Sequence, residues 1–205
     1  MKFGKEYNDF LKTSIHQLDY ANKGDWQKMY SEYLDRLFHL KGKQVLDFGC
    51  NLGSMASAMI DHAMDVIGIE IDQWYKDNCP FENMKERLHI WDGEHFVCSD
   101  QSCDFVHASQ TLEHVPSDKL PQTFKEFFRI LRPGGLVYFS VPSEGDNHHD
   151  PTHVSALSER AWIEHLLNAG FDVVTKEYEP QWKFEPMVLT HKWLQHVGRK
   201  PIQKE

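Results

Sequence analysis

The segment VLDFGCNLGS places an acidic residue and two glycines between a strand-like run and a helix-like run. Asp47 comes first, and Gly49 and Gly53 then let the backbone approach a ligand closely. Asn51 stands in the turn, where asparagine accepts a left-handed conformation better than most residues. The helix that begins beyond Gly53 would present its N–H groups to an anionic group. The turn, which also contains Cys50, is therefore a candidate ligand-binding loop.

A second acidic residue, Glu70, ends the next strand-like run, DVIGIEI, 23 residues after Asp47. A carboxylate there can accept hydrogen bonds from both hydroxyls of a ribose, as in nucleotide-binding folds. Asp47 would repel a pyrophosphate but attract a cationic amino acid group. The turn also reads GCNLG rather than GxGxxG. These residues favour a ribose-containing ligand with a cationic group over a dinucleotide, and Asp72 is expected in the following loop.

Two histidines are candidate bases. His114 lies in the motif LEHV, and it could either take a proton from a hydroxyl acceptor or anchor its loop through a hydrogen bond. The run DNHHDPTH, which ends at His153, is dense in metal-type ligands, but Pro151 makes it a loop. We expect a substrate-facing loop there rather than a metal site, with His153 as the second candidate base.

Strand-like and helix-like runs alternate along the chain, which predicts an α/β fold with a parallel sheet covered on both faces. Residues 7–40 carry aromatic and aliphatic side chains at helical spacing and predict one or two helices before the sheet. The run FDVVTKEYE predicts a strand, and WLQHVGRK predicts a last strand, antiparallel at the sheet edge. Ser117 and Asp118 can cap one helix, and Ser158 can cap another that Gly170 ends.

Length and composition restrict the class of protein. The chain has 205 residues, of which 40% are hydrophobic, so we expect one domain with a full core. No run approaches the roughly 20 apolar residues of a membrane helix, and the N-terminal residues lack a secretory pattern, which predicts a cytoplasmic protein. The net charge of −9 argues against nucleic acid and for a small-molecule partner. Four cysteines without zinc-ligand spacing predict free, mostly buried thiols.

These motifs together resemble the class I S-adenosylmethionine-dependent methyltransferases, in particular the type 11-like group with an LEHV motif. The similarity runs from about residue 44 to about residue 179, through VLDFGC, GIEI, WDGE, CDFVHASQTLEHV, ILRPGG and DPTHVSALSERAWIEHLLNAGF. It implies a Rossmann-like fold with a mostly parallel seven-stranded sheet and helices on both faces. It also implies S-adenosyl-L-methionine as the cofactor.

The resemblance assigns roles to individual residues. Asp47 through Gly53 would hold the methionine end of the cofactor, and Glu70, followed by Ile71, would hold the ribose. Asp92 and Gly93, at the end of RLHIWD, would meet the adenine amino group.

In the second half of the chain, the backbone at Ser109 and Gln110 would line the methionine side. His114 would stand near the sulfonium.

The sequence therefore predicts methyl transfer to a small-molecule acceptor, first to a hydroxyl oxygen, with nitrogen and carbon left open. Residues 1–42 would form lid helices over a core of residues 43–205, and four aromatic residues would shape the acceptor pocket: Tyr7, Tyr20, Trp26 and Tyr30. Three alternatives remain, which are a nicotinamide-dependent oxidoreductase, a non-catalytic cofactor-binding module and a metal-dependent hydrolase. A monomer and a homodimer both remain open.

Overall fold

The computed structural model describes residues 2–13, 24–142, 150–178 and 193–202. By spatial proximity of the Cα atoms the chain divides into two compact units, Met1–Val97 and Cys98–Glu205. The expectation that all residues form one domain stays a prediction.

The first unit contains a parallel set of three strands with helices before and between them. Its strands lie in the order β3-β2-β1. The strands are β1 (Gln44–Phe48), β2 (Asp65–Glu70) and β3 (Leu88–Ile90). The helices are α1 (Lys5–Thr13), α2 (Asp25–Phe38), α3 (Ser54–Asp61), α4 (Gln73–Asp77) and a 3₁₀ helix (Glu82–Met84). Four of the five residues of β1 are buried, as expected for a parallel strand that is covered on both faces.

The register of β1 and β2 brings their carboxyl ends together. Asp47 pairs with Gly68, and Phe48 pairs with Ile69, so β2 ends one residue later at Glu70. Gly68 is required by a close approach, because a Cβ atom there would lie 2.7 Å from the Sγ atom of Cys50. The turn after β1 thus folds directly over β2.

Two helices precede the first strand, as the sequence predicts. Helix α2 contacts α3 within the same unit, and Nε2 of His62 lies 3.3 Å from Oδ2 of Asp35 where α3 ends. Oδ1 of Asp35 also accepts a hydrogen bond of 2.9 Å from the backbone N–H of Lys41. These contacts fix the C-terminal part of α2 to the strand-bearing part of the unit.

The second unit contains four strands in the order β4-β5-β7-β6. They are β4 (Cys103–Ser109), β5 (Leu131–Pro142), β6 (Asp172–Val173) and β7 (Trp193–Arg199). The helices are a 3₁₀ helix (Leu112–His114), α5 (Leu120–Ile130), α6 (Glu159–Ala169) and α7 (Thr175–Tyr178). Strands β4 and β5 are parallel, whereas β7 is antiparallel to both β5 and β6.

Strand β7 confirms the predicted antiparallel strand, but its predicted edge position is wrong because β6 lies beyond it. The strand predicted over FDVVTKEYE is also shorter than expected, since α7 follows β6. Thr175 lies at the start of α7, and its Oγ1 accepts a hydrogen bond of 3.0 Å from the backbone N–H of Val197. This side-chain hydrogen bond to β7 lies where a longer β6 would have formed backbone hydrogen bonds with β7.

The predicted helix boundaries hold in one case and fail in another. Ser158 caps α6 by accepting a hydrogen bond from the backbone N–H of Ala161, and Gly170 ends that helix with φ +100°. The predicted cap of α5 is wrong, because this helix begins at Leu120 and no side chain in the described part of the chain caps it. The hydroxyl of Ser117 lies 3.1 Å from that of Ser155 instead.

The seven strands, mostly parallel and flanked by helices, confirm the predicted α/β fold class. The four cysteines all lie in the described part of the chain, and they are free and buried as expected. Among the residues that the structure describes, no helix is both long and apolar enough to span a membrane.

Candidate functional site

The turn after β1 is held by the end of β2. The backbone N–H groups of Gly49 and Cys50 both donate to the carbonyl of Ile69, at 2.9 and 3.2 Å. Asn51 has φ +52°, which confirms the predicted left-handed conformation, and its Oδ1 accepts a hydrogen bond of 2.7 Å from the backbone N–H of Leu52. The side chain of Asn51 therefore stabilises the bend that its backbone makes.

Helix α3 starts directly after this turn. Gly53 precedes the helix with φ +87°, and none of the described side chains caps the helix there. The backbone N–H of Gly53 donates to the carbonyl of Cys50 at 2.9 Å, which closes the turn. A helix N-terminus without a side-chain cap suits an anionic group such as a carboxylate.

Glu70 clamps the turn, which sequence reasoning did not anticipate. Its Oε1 accepts a hydrogen bond of 2.8 Å from the backbone N–H of Asn51, and its Oε2 accepts one of 2.9 Å from that of Ile71. The pKa of Glu70 is raised to about 7, chiefly by burial, which outweighs the two backbone hydrogen bonds, and in smaller part by the charges of Asp47 and Asp72. A carboxylate has about four lone-pair sites, so Glu70 keeps acceptor capacity for ligand hydroxyls.

Asp47 lies at the same strand ends and is almost fully buried, with 3% of its surface exposed. Its charge acts on Glu70, and both carboxylates act on Cys50, whose pKa is raised chiefly by burial and then by these two acids. The Cys50 thiol therefore stays uncharged at neutral pH. Two interacting carboxylates make this end of the sheet electronegative, which favours a cationic ligand group.

The end of β3 carries the third predicted contact. Asp92 is exposed, and its Oδ1 accepts hydrogen bonds from the backbone N–H groups of His95 (2.7 Å) and Glu94 (2.8 Å). These bonds hold the pKa of Asp92 below its usual value. Gly93 has φ +89°, which permits this turn. The hydrophobic side chain of Ile71 is 48% exposed where β2 ends.

Helix α1 approaches the first unit's candidate site. A Cβ atom at Gly4, just before α1, would lie 3.0 Å from the carboxyl group of Asp72. Asp72 follows β2 as predicted and caps α4, since its Oδ1 accepts a hydrogen bond of 2.8 Å from the backbone N–H of Trp74.

The aromatic residues of the predicted lid are in part buried. Tyr7 and Tyr30 are 8% and 9% exposed, and Trp26 stacks on Tyr30 with ring centroids 5.0 Å apart. Tyr20 lies outside the described residues. Their predicted contact with an acceptor stays a prediction.

In the second unit, β4 ends in a strained bend. Gln110 has φ +53°, and its backbone N–H donates to the carbonyl of Ser140 at 2.8 Å. The hydroxyl of Ser109 lies 2.7 Å from that of Ser140. The role predicted for this backbone, which is to line the methionine side of the cofactor, stays a prediction.

The structure brings the two predicted histidines together. The rings of His114 and His153 pack edge to face with centroids 4.8 Å apart. Nδ1 of His114 lies 2.9 Å from Oγ1 of Thr152, which donates to Oδ1 of Asp150 at 2.6 Å. Burial, and next the proximity of His153, lowers the pKa of His114 to about 4. Residues 146–149 of the predicted DNHHDPTH loop lie outside the described residues.

Glu113 completes this group, and sequence reasoning missed it. Its backbone carbonyl accepts hydrogen bonds of 2.9 Å from the N–H groups of both Val154 and Ser155, which attaches the histidine-bearing loop. Its side chain is 2% exposed, and burial raises its pKa to about 8. One carboxylate oxygen lies 4.0 Å from Nε2 of His153. Its place beside His114 in a ligand-rich motif was the available sequence signal.

Comparisons with known proteins identify the family. The model of a family described as a methyltransferase domain matches residues 23–176. A probable S-adenosylmethionine-dependent methyltransferase of Mycolicibacterium smegmatis is 30% identical over 165 residues, which cover 75% of this chain and 62% of that protein. A ubiquinone biosynthesis O-methyltransferase of Coxiella burnetii is 28% identical over 54% of this chain and 48% of that protein. The chain thus spans about half to three fifths of the length of these curated relatives.

The fold is similar to that of solved methyltransferase structures. Phosphoethanolamine N-methyltransferase 2 of Haemonchus contortus, in complex with S-adenosyl-L-methionine, superposes with a TM-score of 0.64 at 17% identity. That match covers 96% of this chain and 60% of the other. With the family model matching most of the chain, these findings confirm the resemblance drawn from the motifs. The chain belongs to the methyltransferase-domain family, in the class I S-adenosylmethionine-dependent group.

Proposed function

We propose that the protein binds S-adenosyl-L-methionine and transfers its methyl group to a hydroxyl oxygen of a small-molecule acceptor. One observation carries the cofactor part of this proposal. Asp47 and Glu70 stand at the carboxyl ends of adjacent parallel strands, around a turn that bends at Asn51, and the charge of Asp47 raises the pKa of Glu70. Ligands bind at this edge in open α/β sheets.

Each part of the cofactor has a complementary group in this proposal. The buried Asp47 holds the ammonium group, and the start of α3 after Gly53 receives the carboxylate. Glu70 accepts the ribose hydroxyls with the lone pairs that its two backbone hydrogen bonds leave available. Asp92 accepts from the adenine amino group, and the exposed side chain of Ile71 packs against the adenosine. Bound S-adenosyl-L-methionine in the Haemonchus contortus structure supports this cofactor.

Transfer itself depends mainly on alignment. A sulfonium is a reactive methyl donor, so placing the acceptor atom in line with its methyl group can supply much of the rate increase. In this proposal the backbone at Ser109 and Gln110 lines the methionine side. His114 and His153 are the two candidates to take the proton of a hydroxyl acceptor. The N-terminal helices exclude water from the acceptor.

Two observations support the proposed acceptor. The Coxiella burnetii relative is named an O-methyltransferase, which supports oxygen as the methylated atom. The net charge of −9 supports a small molecule over nucleic acid. A cytoplasmic location and a monomeric or dimeric state stay predictions of the sequence.

The test separates the proposed function from its three alternatives. Purified protein is titrated calorimetrically with adenosylhomocysteine and with NAD⁺, and then incubated with methyl-labelled S-adenosylmethionine and a pool of small phenols, alcohols and amines. We expect binding of adenosylhomocysteine, no binding of NAD⁺, and label in a phenol or alcohol. Binding of NAD⁺ alone would support an oxidoreductase, and binding without transfer to any pool member would support a non-catalytic module. Hydrolysis that chelators abolish would support a metal-dependent hydrolase.

A further inference from the structure

Glu113, His114 and His153 form a cluster of metal-type donors inside the second unit. One ligand atom from each residue lies within 4.8 Å of the others. Ligand atoms that share one tetrahedral ion at about 2.0–2.2 Å lie about 3.3–3.6 Å apart, so the widest pair must close by about 1.2–1.5 Å when the ion binds. The three side chains come from two segments, which the backbone bonds of Val154 and Ser155 to Glu113 hold together.

The contacts of the His114 ring indicate which of its nitrogens carries the proton. Nδ1 contacts the backbone carbonyl of Thr152 at 3.2 Å and its hydroxyl at 2.9 Å. The Thr152 hydroxyl donates to Asp150, so it can accept from an Nδ1–H group. The neutral ring then carries its lone pair on Nε2. Metal-binding histidines usually donate their other N–H to a carbonyl, carboxylate or hydroxyl in this way.

Glu113 is the independent sign that an ion belongs here. Its carboxylate is 2% exposed, and neither oxygen has a hydrogen-bond partner among the residues that the structure describes. Burying a carboxylate without a partner is costly unless a proton or a cation neutralises it. Nε2 of His153, 4.0 Å from Glu113, also lies 3.9 Å from Oδ2 of Asp150. Two buried carboxylates therefore face the same imidazole.

We propose that Glu113, His114 and His153 bind one divalent transition-metal ion, with Thr152 and Asp150 orienting the ligands. Two imidazoles and one carboxylate suit Zn²⁺ or Fe²⁺, whereas Mg²⁺ and Ca²⁺ prefer oxygen ligands alone. This proposal departs from the sequence-based expectation of no metal. Its test does not depend on methyl transfer. An imidazole nitrogen that binds the ion cannot take a proton, so ligand and base are alternative roles for both His114 and His153.

The test measures metal binding without the cofactor. The full chain is stripped with a chelator and titrated with Zn²⁺ and with Mg²⁺ by calorimetry, and its visible spectrum is recorded with Co²⁺. The variants are Glu113→Gln, which keeps the side-chain shape, and His153→Gln. His165→Gln is the control, since it removes a half-buried imidazole of the same unit outside the cluster. Circular dichroism checks that each variant is folded. If His153→Gln protein is not folded, Glu113→Gln protein alone decides the test.

We expect one equivalent of Zn²⁺ per chain, much weaker binding of Mg²⁺, and a Co²⁺ spectrum that indicates nitrogen and oxygen ligands. Both cluster variants should weaken Zn²⁺ binding by more than about 100-fold, because loss of a supporting partner alone costs about 10- to 100-fold. His165→Gln should bind as the wild type does. Wild-type protein that binds no Zn²⁺, or Glu113→Gln protein that binds it unchanged, would overturn the proposal and assign a proton to Glu113.

Discussion

The carboxylate of Glu70 accepts a hydrogen bond of 2.8 Å from the backbone N–H of Asn51. This contact joins the end of β2 to the turn after β1, so the residue proposed to hold the ribose also fixes the loop proposed to hold the methionine end. Substitutions at Glu70 must therefore be interpreted through stability as well as through ligand binding.

Glu70 should make the ligand-free protein less stable as the pH rises. Its pKa in the fold is about 7 against an ordinary value of 4.5. The folded state thus binds the proton more tightly, and this stabilisation is complete below pH 4.5 and is lost as the pH rises towards 7. Between about pH 5 and about pH 8, the free energy of unfolding of the wild type should fall by on the order of 1–2 kcal/mol relative to that of Glu70→Gln, as measured by urea denaturation. This value allows for the partial exposure of the Glu70 side chain.

The control for this pH dependence is Glu86→Gln, which removes an exposed carboxylate of the same unit. Its stability should follow that of the wild type across the whole pH range. If Glu70→Gln also ran parallel to the wild type, the raised pKa of Glu70 would be wrong.

Asn51 should tolerate glycine better than alanine. At φ +52° a residue with a Cβ atom is strained, and alanine also lacks the Oδ1 atom that accepts from Leu52. We expect Asn51→Ala to lower the free energy of unfolding by about 1–2 kcal/mol, whereas Asn51→Gly loses the side-chain bond but relieves the strain. Urea denaturation measures both. Equal losses in the two variants would argue against a left-handed Asn51.

Thr152→Val should weaken metal binding while the three proposed ligands remain. The valine has a similar shape but removes the hydroxyl between His114 and Asp150. The ring of His114 then loses one orienting contact, and Zn²⁺ affinity should fall by about 10- to 100-fold in calorimetry. Thr13→Val, in α1, is the control and should leave the affinity unchanged. Full Zn²⁺ affinity in Thr152→Val would remove Thr152 and Asp150 from the proposed site.

The sequence predicts local features better than contacts between distant segments. The bend at Asn51 was predictable because its signal lies within one turn. The clamp by Glu70 depends on the register of two strands, which no residue type reveals. Likewise, Glu113 meets His153 only because residues 150–155 attach to the 3₁₀ helix.

Tertiary contacts also overrode two local patterns. Ser117 is a good capping residue by type, but its hydroxyl pairs with Ser155 instead of capping α5. The strand-like residues after Val173 form α7, where Thr175 bonds to β7 through its side chain. In both cases the hydrogen-bond partner is distant in sequence, so local propensity could not predict it.

The separate roles proposed for Asp47, which holds the amino acid group, and Glu70, which holds the ribose, are tested most directly by two ligands that differ only in the amino acid part. Adenosine keeps the ribose and base of adenosylhomocysteine but lacks its amino acid group. Calorimetry with both ligands on wild-type, Asp47→Asn and Glu70→Gln protein separates the two contacts, and Asp77→Asn, which removes an exposed carboxylate, is the control. Asp47→Asn should weaken the binding of adenosylhomocysteine by about 10- to 100-fold and leave the binding of adenosine unchanged. Glu70→Gln should weaken the binding of both ligands. Unchanged adenosylhomocysteine binding in Asp47→Asn and Glu70→Gln would contradict the account.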